Sequence, residues 1–295
     1  MCKGMDTTAH STVFFHEAAR NLPLERRVDV LVAGGGPAGI GAALGAARAG
    51  AQVALVERHG CLGGMLTVGG VRNVRQYTDR ESIVIGGPAL EFARRLREHG
   101  GTADDPGEGL RVMQDPEISK FVLQEMLLEA GIDLHLHTWI GSAIVAGTRL
   151  RGLVVESKSG RSAMPAEATV DATGDGDVIA RAGAGFDCDT DQLQPMTLTF
   201  VMGGISLWPQ GIPRDERAQM QQALEEGTFP CPKLPSMFAM QHPGEYYFNA
   251  TRIPGDCTQA ADLSKAEIAG RRQAMALTAW LRNRIKGFEN AYLIN

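Results

Sequence analysis

The chain has 295 residues, 44% hydrophobic and 21% charged, with a formal net charge of −5; it can bury a large core in one or two domains and lacks the basic field that draws in nucleic acid or an anionic membrane surface. Its five cysteines, Cys2, Cys61, Cys188, Cys231 and Cys257, include no C-x-x-C pair, which speaks against a zinc site or a disulfide framework and for a reducing, cytoplasmic setting. The 36 glycines exceed the usual share of about 7% and point to tight turns and close backbone contacts.

Residues 1–27 are polar and irregular and read as an N-terminal arm, in which the apolar run Val13 to Phe15 is too short for a signal-peptide core. Val28 to Ala33 (VDVLVA) is almost wholly apolar and β-branched, as expected of a strand covered on both faces of a parallel sheet. A helix follows from Pro37 to Ala49, with Gly41 and Gly45 on a flat side expected to lie close to the sheet. Gly50 stops it, and Gln52 to Glu57 reads as a second buried strand, closing a β-α-β unit of about 30 residues. The longest apolar run, from Pro37 to Val56, contains Arg48 and is broken by glycines and a glutamine, so it is no membrane span.

Further on, the pattern predicts helices over Pro88 to His99 and Pro116 to Ala130, then short strands in IDLHLH, GSAIVAG, RLRGLVVES and ATVDATG, a meander with a return strand. From Phe186 the texture changes to crowded prolines and long loops, placing a boundary near Gly185. A last helix runs from Asp262 to about Lys286, its apolar side drawn from Ile268, Met275, Leu277, Trp280 and Leu281. Three segments result: an arm at 1–27, a dinucleotide-binding domain at 28–185 and a substrate or cap domain at 186–295.

Between the first strand and its helix lies GGGPAG. Gly34, Gly36 and Gly39 form G-x-G-x-x-G: the first glycine permits the turn, the second lets a pyrophosphate approach the backbone, and the third lets helix pack on strand, with Pro37 and Ala38 opening the helix between them. The N–H groups of that helix start, with its dipole behind them, hold phosphates without a cationic side chain. Glu57 ends the second strand about 20 residues on, where an acid accepts hydrogen bonds from a ribose diol. Immediately after come Arg58 and then Gly63, Gly64 and Met65 in ERHGCLGGM, a second glycine pair suited to passing under a flat ring. VDATGDGD, Val170 to Asp177, is a strand running into Gly174, Asp175 and Gly176, a turn that can return to the edge of the first unit. These features favour FAD over NAD, with an NAD-binding dehydrogenase as the rival.

GGGPAGIGAA, ERHGCLGG and VDATGDGD together resemble the glutathione-reductase-type flavoproteins, and more closely an FAD-dependent oxidoreductase family with CLGGMLT and DATGD signatures. The resemblance is strong over roughly residues 26–190, with DPEISKFVLQEMLLEAGI and GFENAYLI similar in texture. It implies a Rossmann-like doubly wound parallel sheet with a β-meander insertion and a second α+β domain. By resemblance, Gly34, Gly36 and Gly39 hold the pyrophosphate, Glu57 and Arg58 sit at the adenosine ribose, Gly63, Gly64 and Met65 approach the flavin, and Gly174 and Asp175 form a later FAD-contacting turn. Members of that family generally continue beyond GFENAYLI, so a fragment, or a partner chain supplying the remainder, is an expectation.

Other constellations carry less. Asp187, Asp189 and Asp191 begin like a calcium loop, but Gln192 and Leu198 stand where that loop needs glycine and glutamate. His135 and His137 alternate along one strand without a ligand partner and read as structural. Cys61 has no second cysteine nearby for a disulfide relay. Arg72 and Arg75, in GGVRNVRQY, face an anionic substrate, the electron-rich N1 side of a flavin, or solvent. His242, Tyr246 and Tyr247 are acid–base candidates. The expected activity is hydride transfer between a small organic substrate and flavin N5, with a separate acceptor; the catalytic base is not identified, and a non-catalytic flavoprotein subunit is the other class of reading.

Overall fold

The computed structural model describes residues 17–75, 77–79, 81–108, 111–189 and 192–295. Most of the arm, with Cys2 and Val13 to Phe15, and Asp191 of the aspartate loop lie outside them.

Strand β1 (Val28–Ala33) feeds helix α1 (Pro37–Arg48), which returns to β2 (Val53–Val56). Beyond a short 3-10 turn (Gly64–Leu66) come β3 (Asn73–Arg75), α2 (Gly87–Glu98), β4 (Arg111–Met113), α3 (Pro116–Glu129) and β5 (Asp133–His135). Of strands β6 (Thr138–Ala146), β7 (Arg149–Ser157) and β8 (Gly160–Asp171), β7 is the expected RLRGLVVES, while β6 and β8 begin earlier than the sequence suggested, Gly160 to Glu167 extending the latter. They form one sheet with the first unit, in the order β5-β2-β1-β8-β7-β6. Its β5, β2, β1 and β8 are parallel, while β8-β7-β6 is an antiparallel meander continuous with the sheet.

Alternation along β1 and β2 explains why both strands are apolar throughout. Val32, Val53 and Leu55 face a core made with α1, α2 and α3, whereas Leu31, Ala33, Ala54 and Val56 face a second core with Leu153, Val155, Met164 and Val178. The segment before β1 also joins the structure: Glu25 N–H donates to Ala163 O at 2.9 Å, and Ala163 N–H to Pro23 O at 2.9 Å.

Helix α3 starts with a cap that the apolar pattern did not reveal. Asp115 accepts from the Glu117 and Ile118 N–H groups, with Pro116 in the first turn, an arrangement worth about 1 kcal/mol.

After α4 (Asp177–Arg181), strands β9 (Phe200–Gly203), β10 (Ser236–Ala239), β11 (Tyr246–Asn249) and β12 (Tyr292–Leu293) form an antiparallel sheet in the order β10-β11-β9-β12. One face, with Phe200, Met202, Tyr246 and Phe248, packs against α5 (Arg214–Glu225) and α6 (Ala260–Arg284). The Phe200 and Phe248 rings stack with centroids 5.3 Å apart. The opposite face turns Val201 and Tyr247 toward Met113 of β4, and Gln241 Nε2 donates to Met113 O at 2.6 Å.

The apolar side of α6 differs from expectation. Leu277 and Leu281 are buried, each worth about 1.5–3 kcal/mol, but Ile268 and Met275 are exposed and small residues, Ala266, Gly270 and Ala274, complete the packed stripe. At Gly270 a Cβ would come within 2.8 Å of the Leu198 side chain, so the helix approaches its neighbour through small residues rather than large ones. Among the described residues no helix is long and apolar enough to cross a membrane.

Candidate functional site

The glycine turn shows a division of labour. Gly34 has φ +107, and a Cβ there would stand 2.4 Å from Ala172 O; at Gly39 a Cβ would stand 1.8 Å from Gly34 O. Both glycines are needed because backbone touches backbone. At Gly36 a Cβ would meet nothing within 4 Å. That glycine is the N-cap of α1, and among the described residues no side chain caps it. The first-turn N–H groups of a helix have no helical acceptor, so this end offers donors, a partial positive charge and room for an anionic group. Gly41 and Gly45 were expected to press on the sheet, but a Cβ at either would also meet nothing; the close approach belongs to Gly39.

The other stretches converge on the same turn. Gly63 (φ +106) donates its N–H to Gly35 O at 2.8 Å, and a Cβ on Gly64 would lie 2.9 Å from Gly36 Cα. The end of β8 sits beside Gly34, since Ala172 N–H donates to Ala33 O at 2.9 Å. Asp171 organises the turn beyond. Its Oδ1 accepts from Thr173 Oγ1 at 2.6 Å, and its Oδ2 accepts from the N–H groups of Val178 at 2.9 Å and Ile179 at 3.0 Å. Burial pushes this carboxyl upward, but these hydrogen bonds prevail and hold it below the ordinary value. Gly174 and Gly176 have positive φ in open space, and Asp175 Oδ1 lies 3.5 Å from Cys257 Sγ. Burial, followed by the charge of Asp175, raises the Cys257 pKa, so it stays a thiol.

Glu57, 6% exposed, is held by main chain: one oxygen accepts from Gly35 N–H at 2.7 Å and the other from His59 N–H at 2.8 Å. Each oxygen retains lone-pair capacity for a sugar hydroxyl. The Arg58 guanidinium lies over Trp139, 5.5 Å from the ring centroid, and its Nε donates to His59 Nε2 at 3.2 Å. Burial, opposed by Glu57, keeps the His59 pKa below its ordinary value, as an accepting imidazole requires. His137 is not on a strand face with His135: β5 ends at His135, and His137 adopts φ +53 in the following turn.

Met65, exposed on the far side of Gly64, opens a cavity of about 900 Å³ whose walls include Gly69, Gly70, Arg72, Thr199, Val201 and residues of α6. Arg75 is exposed, but Arg72 is only 4% exposed, and its Nε and Nη1 have no hydrogen-bond partner among the described residues. Tyr246 and Tyr247 point to opposite faces of the second sheet and do not form one acid–base pair; the Tyr246 hydroxyl is occupied by Leu207 O at 2.8 Å. Among the described residues no group of three or more histidine, cysteine and acidic side chains could hold a metal. Cys61, Cys188, Cys231 and Cys257 are free.

The parallel β-α-β unit with its return strand, glycine turn and buried acid defines a Rossmann-like dinucleotide-binding protein of the flavoprotein kind. A family model described as FAD dependent oxidoreductase matches residues 29–295, and the chain belongs to that family. It is 33% identical over 166 residues to the thiamine thiazole synthase of Aeropyrum pernix, a match covering 52% of this chain and 57% of that one. The chain thus spans little more than half the length of this curated relative. Among solved structures, a geranylgeranyl bacteriochlorophyll reductase-like protein from Thermoplasma acidophilum superposes with TM-score 0.58 at 15% identity, covering 91% of this chain and 64% of that one. An L-proline dehydrogenase from P. horikoshii gives TM-score 0.55 at 14% identity, covering 93% and 80%. At these identities both bear on the fold alone. Family and fold agree with the expectation of FAD.

Proposed function

We propose that the chain is the FAD-binding catalytic unit of an oxidoreductase acting on a small organic substrate, of the glutathione-reductase type in its dinucleotide fold. Residues 28–185 would form the cofactor domain and 186–295 the substrate or cap domain. One observation supports this most: the single glycine of the turn with free space beside it, Gly36, lies at the uncapped start of α1, while its neighbours Gly34 and Gly39 are packed against backbone.

Gly36 and the first-turn amides of Pro37-Ala38-Gly39 would hold the pyrophosphate; proline lacks an N–H, so Ala38 and Gly39 supply donors there. Glu57, fixed by Gly35 and His59, would receive the ribose hydroxyls, and Arg58, placed by Trp139, would flank the adenosine. Gly64, next to Gly63, leaves no side chain over Gly36, so the cofactor would continue past Met65 toward the cavity; Gly174 and Asp175 would approach it from the β8 turn. A bound FAD would supply the two-electron chemistry, hydride exchange between a substrate carbon and flavin N5 with a separate acceptor for the electrons. The protein's part would be to bind, to orient and to keep water from the buried end of the cavity, where Arg72 lies.

The test is direct. The purified protein, supplied with FAD, is denatured, and the released ligand is identified by mass and absorbance; substrates are then sought by anaerobic bleaching of the yellow holoprotein. Released FAD with substrate-dependent bleaching is expected. A protein that stays colourless and refuses added FAD refutes the proposal.

A further inference from the structure

Arg72 is buried, and among the described residues its Nε and Nη1 have no hydrogen-bond partner. It precedes β3, and its backbone is pinned: Gln114 N–H donates to Arg72 O at 2.8 Å, while Gln114 Nε2 donates to Val71 O at 2.9 Å. Gln114 itself is fully buried, so the position of Arg72 does not depend on its own head group. Burial lowers the pKa of the guanidinium against the opposing pull of Asp115, Glu117, Tyr247 and Glu245. Those groups act through space, and none of the ion pairs between described residues includes Arg72. An arginine stays charged in a protein, and leaving that charge buried without hydrogen bonds costs several kcal/mol.

The surroundings make a binding site of this cost. Arg72 and Thr199 line the cavity, and the 3% exposed Tyr247 of β11 pairs with Val201 of β9, another residue of that wall. Burial raises the Tyr247 pKa, with the Asn249 and Thr199 side chains and the charges of Arg72 and Arg252 drawing it back. Arg252 is a second cation at this place, and its Nη1 bonds only neutral acceptors: Thr197 Oγ1 at 2.8 Å, Asn249 Oδ1 at 2.9 Å and Thr251 O at 2.7 Å. The charges of both guanidinium groups bear on Tyr247, and among the described residues no carboxylate forms an ion pair with either.

We infer that Arg72, together with the Tyr247 hydroxyl, is the recognition point for the carboxylate of the substrate, and that the substrate class is a small organic carboxylic acid. A carboxylate accepts two parallel N–H bonds from a guanidinium and one from a phenol. The groups whose charge bears on Arg72 are Asp115 and Glu117 at the start of α3 and Tyr247 and Glu245 at the second sheet, none of them in the glycine turn, and a permanently ionised ligand would pair with this guanidinium where a neutral flavin ring would not. The inference rests on the flavoenzyme reading above and specifies its substrate.

The test uses FAD-loaded protein at constant ionic strength, titrated with formate and acetate against formamide and acetamide while the flavin absorbance is followed. The acids should perturb the spectrum saturably and the amides should not. Arg72→Gln should weaken acetate binding by about 10- to 100-fold, Arg72→Lys by less, and Tyr247→Phe by about fivefold. Equal responses to acetate and acetamide overturn the inference, as does unchanged acetate affinity in a yellow Arg72→Gln protein. So does a changed flavin potential or sulfite affinity in Arg72→Gln with acetate binding intact, which would assign Arg72 to the cofactor. Should Arg72→Gln fail to fold, Tyr247→Phe and the wild-type acid-against-amide comparison decide. A colourless protein that refuses FAD overturns the flavoenzyme reading as well; a yellow one indifferent to charge overturns this inference alone.

Discussion

Replacing Gly36 with alanine should separate cofactor binding from folding. Gly36 has φ −75 and ψ −179, backbone that any residue adopts, and its Cβ would stand clear of the protein. Two effects on the apoprotein oppose each other: alanine narrows the unfolded ensemble, stabilising by about 0.4–1 kcal/mol, and is a poorer N-cap than glycine by a similar amount. The net change is within about 0.5 kcal/mol, and Tm should move by no more than about 2 °C. The methyl group, however, occupies the approach of the pyrophosphate; overpacking of that kind costs about 1–3 kcal/mol, which raises the Kd for FAD by roughly 5- to 150-fold. Gly39→Ala is the control of opposite character. Its Cβ would lie 1.8 Å from Gly34 O, so helix and strand must part, and the apoprotein should lose about 3 kcal/mol. Thermal melts of stripped protein and fluorescence titration with FAD measure both quantities. Wild-type FAD affinity in Gly36→Ala would refute the reasoning, as would an apoprotein destabilised as severely as Gly39→Ala.

Two further outcomes are expected. Asp171→Asn should cost about 2 kcal/mol in urea unfolding at neutral pH, through the lost charge-assisted bonds to Thr173, Val178 and Ile179. Because the folded pKa of Asp171 is depressed, its contribution is present above the ordinary carboxylate range and is lost as pH falls through the folded value, so the gap between wild type and variant should close in acid; a gap that widens there contradicts the assignment. Among the described cysteines, burial pushes the Cys231 thiol up to about 11. Iodoacetamide at neutral pH, read by mass spectrometry, should therefore label the exposed Cys188 and spare Cys231, and rapid labelling of Cys231 in the folded protein would show that its cover opens.

What the sequence made legible was local. A β-branched apolar run, a glycine turn and an alanine-rich helix specify strand, turn and helix within one short window, and the DATGD strand was recognisable because it ends in glycines of the same kind. Contacts between distant segments were not legible. Small residues four apart in α1 marked a flat side without saying what it faces, so Gly41 and Gly45 drew attention that belonged to Gly39. The large apolar residues of α6 promised burial, yet Ile268 and Met275 are exposed while Ala266, Gly270 and Ala274 are buried. In sequence Arg72 was open to an anionic substrate, a flavin or solvent, and no local pattern chose between them; the structure buries it at the cavity wall. The pairing of Asp175 with Cys257 joins residues from separate segments of the chain, and no spacing rule reaches so far.

The place of β8 has a consequence for how the protein is made. Val28 pairs with Ala166 and Ala33 with Asp171, so the earliest strand waits for one translated much later, and pairings of such separation form slowly. Until Ala172 has left the ribosome, Gly34 keeps its bond to Val56 O but lacks the backbone it packs against. A nascent chain ending before that residue should bind flavin poorly, so capture of the cofactor would follow the synthesis of β8.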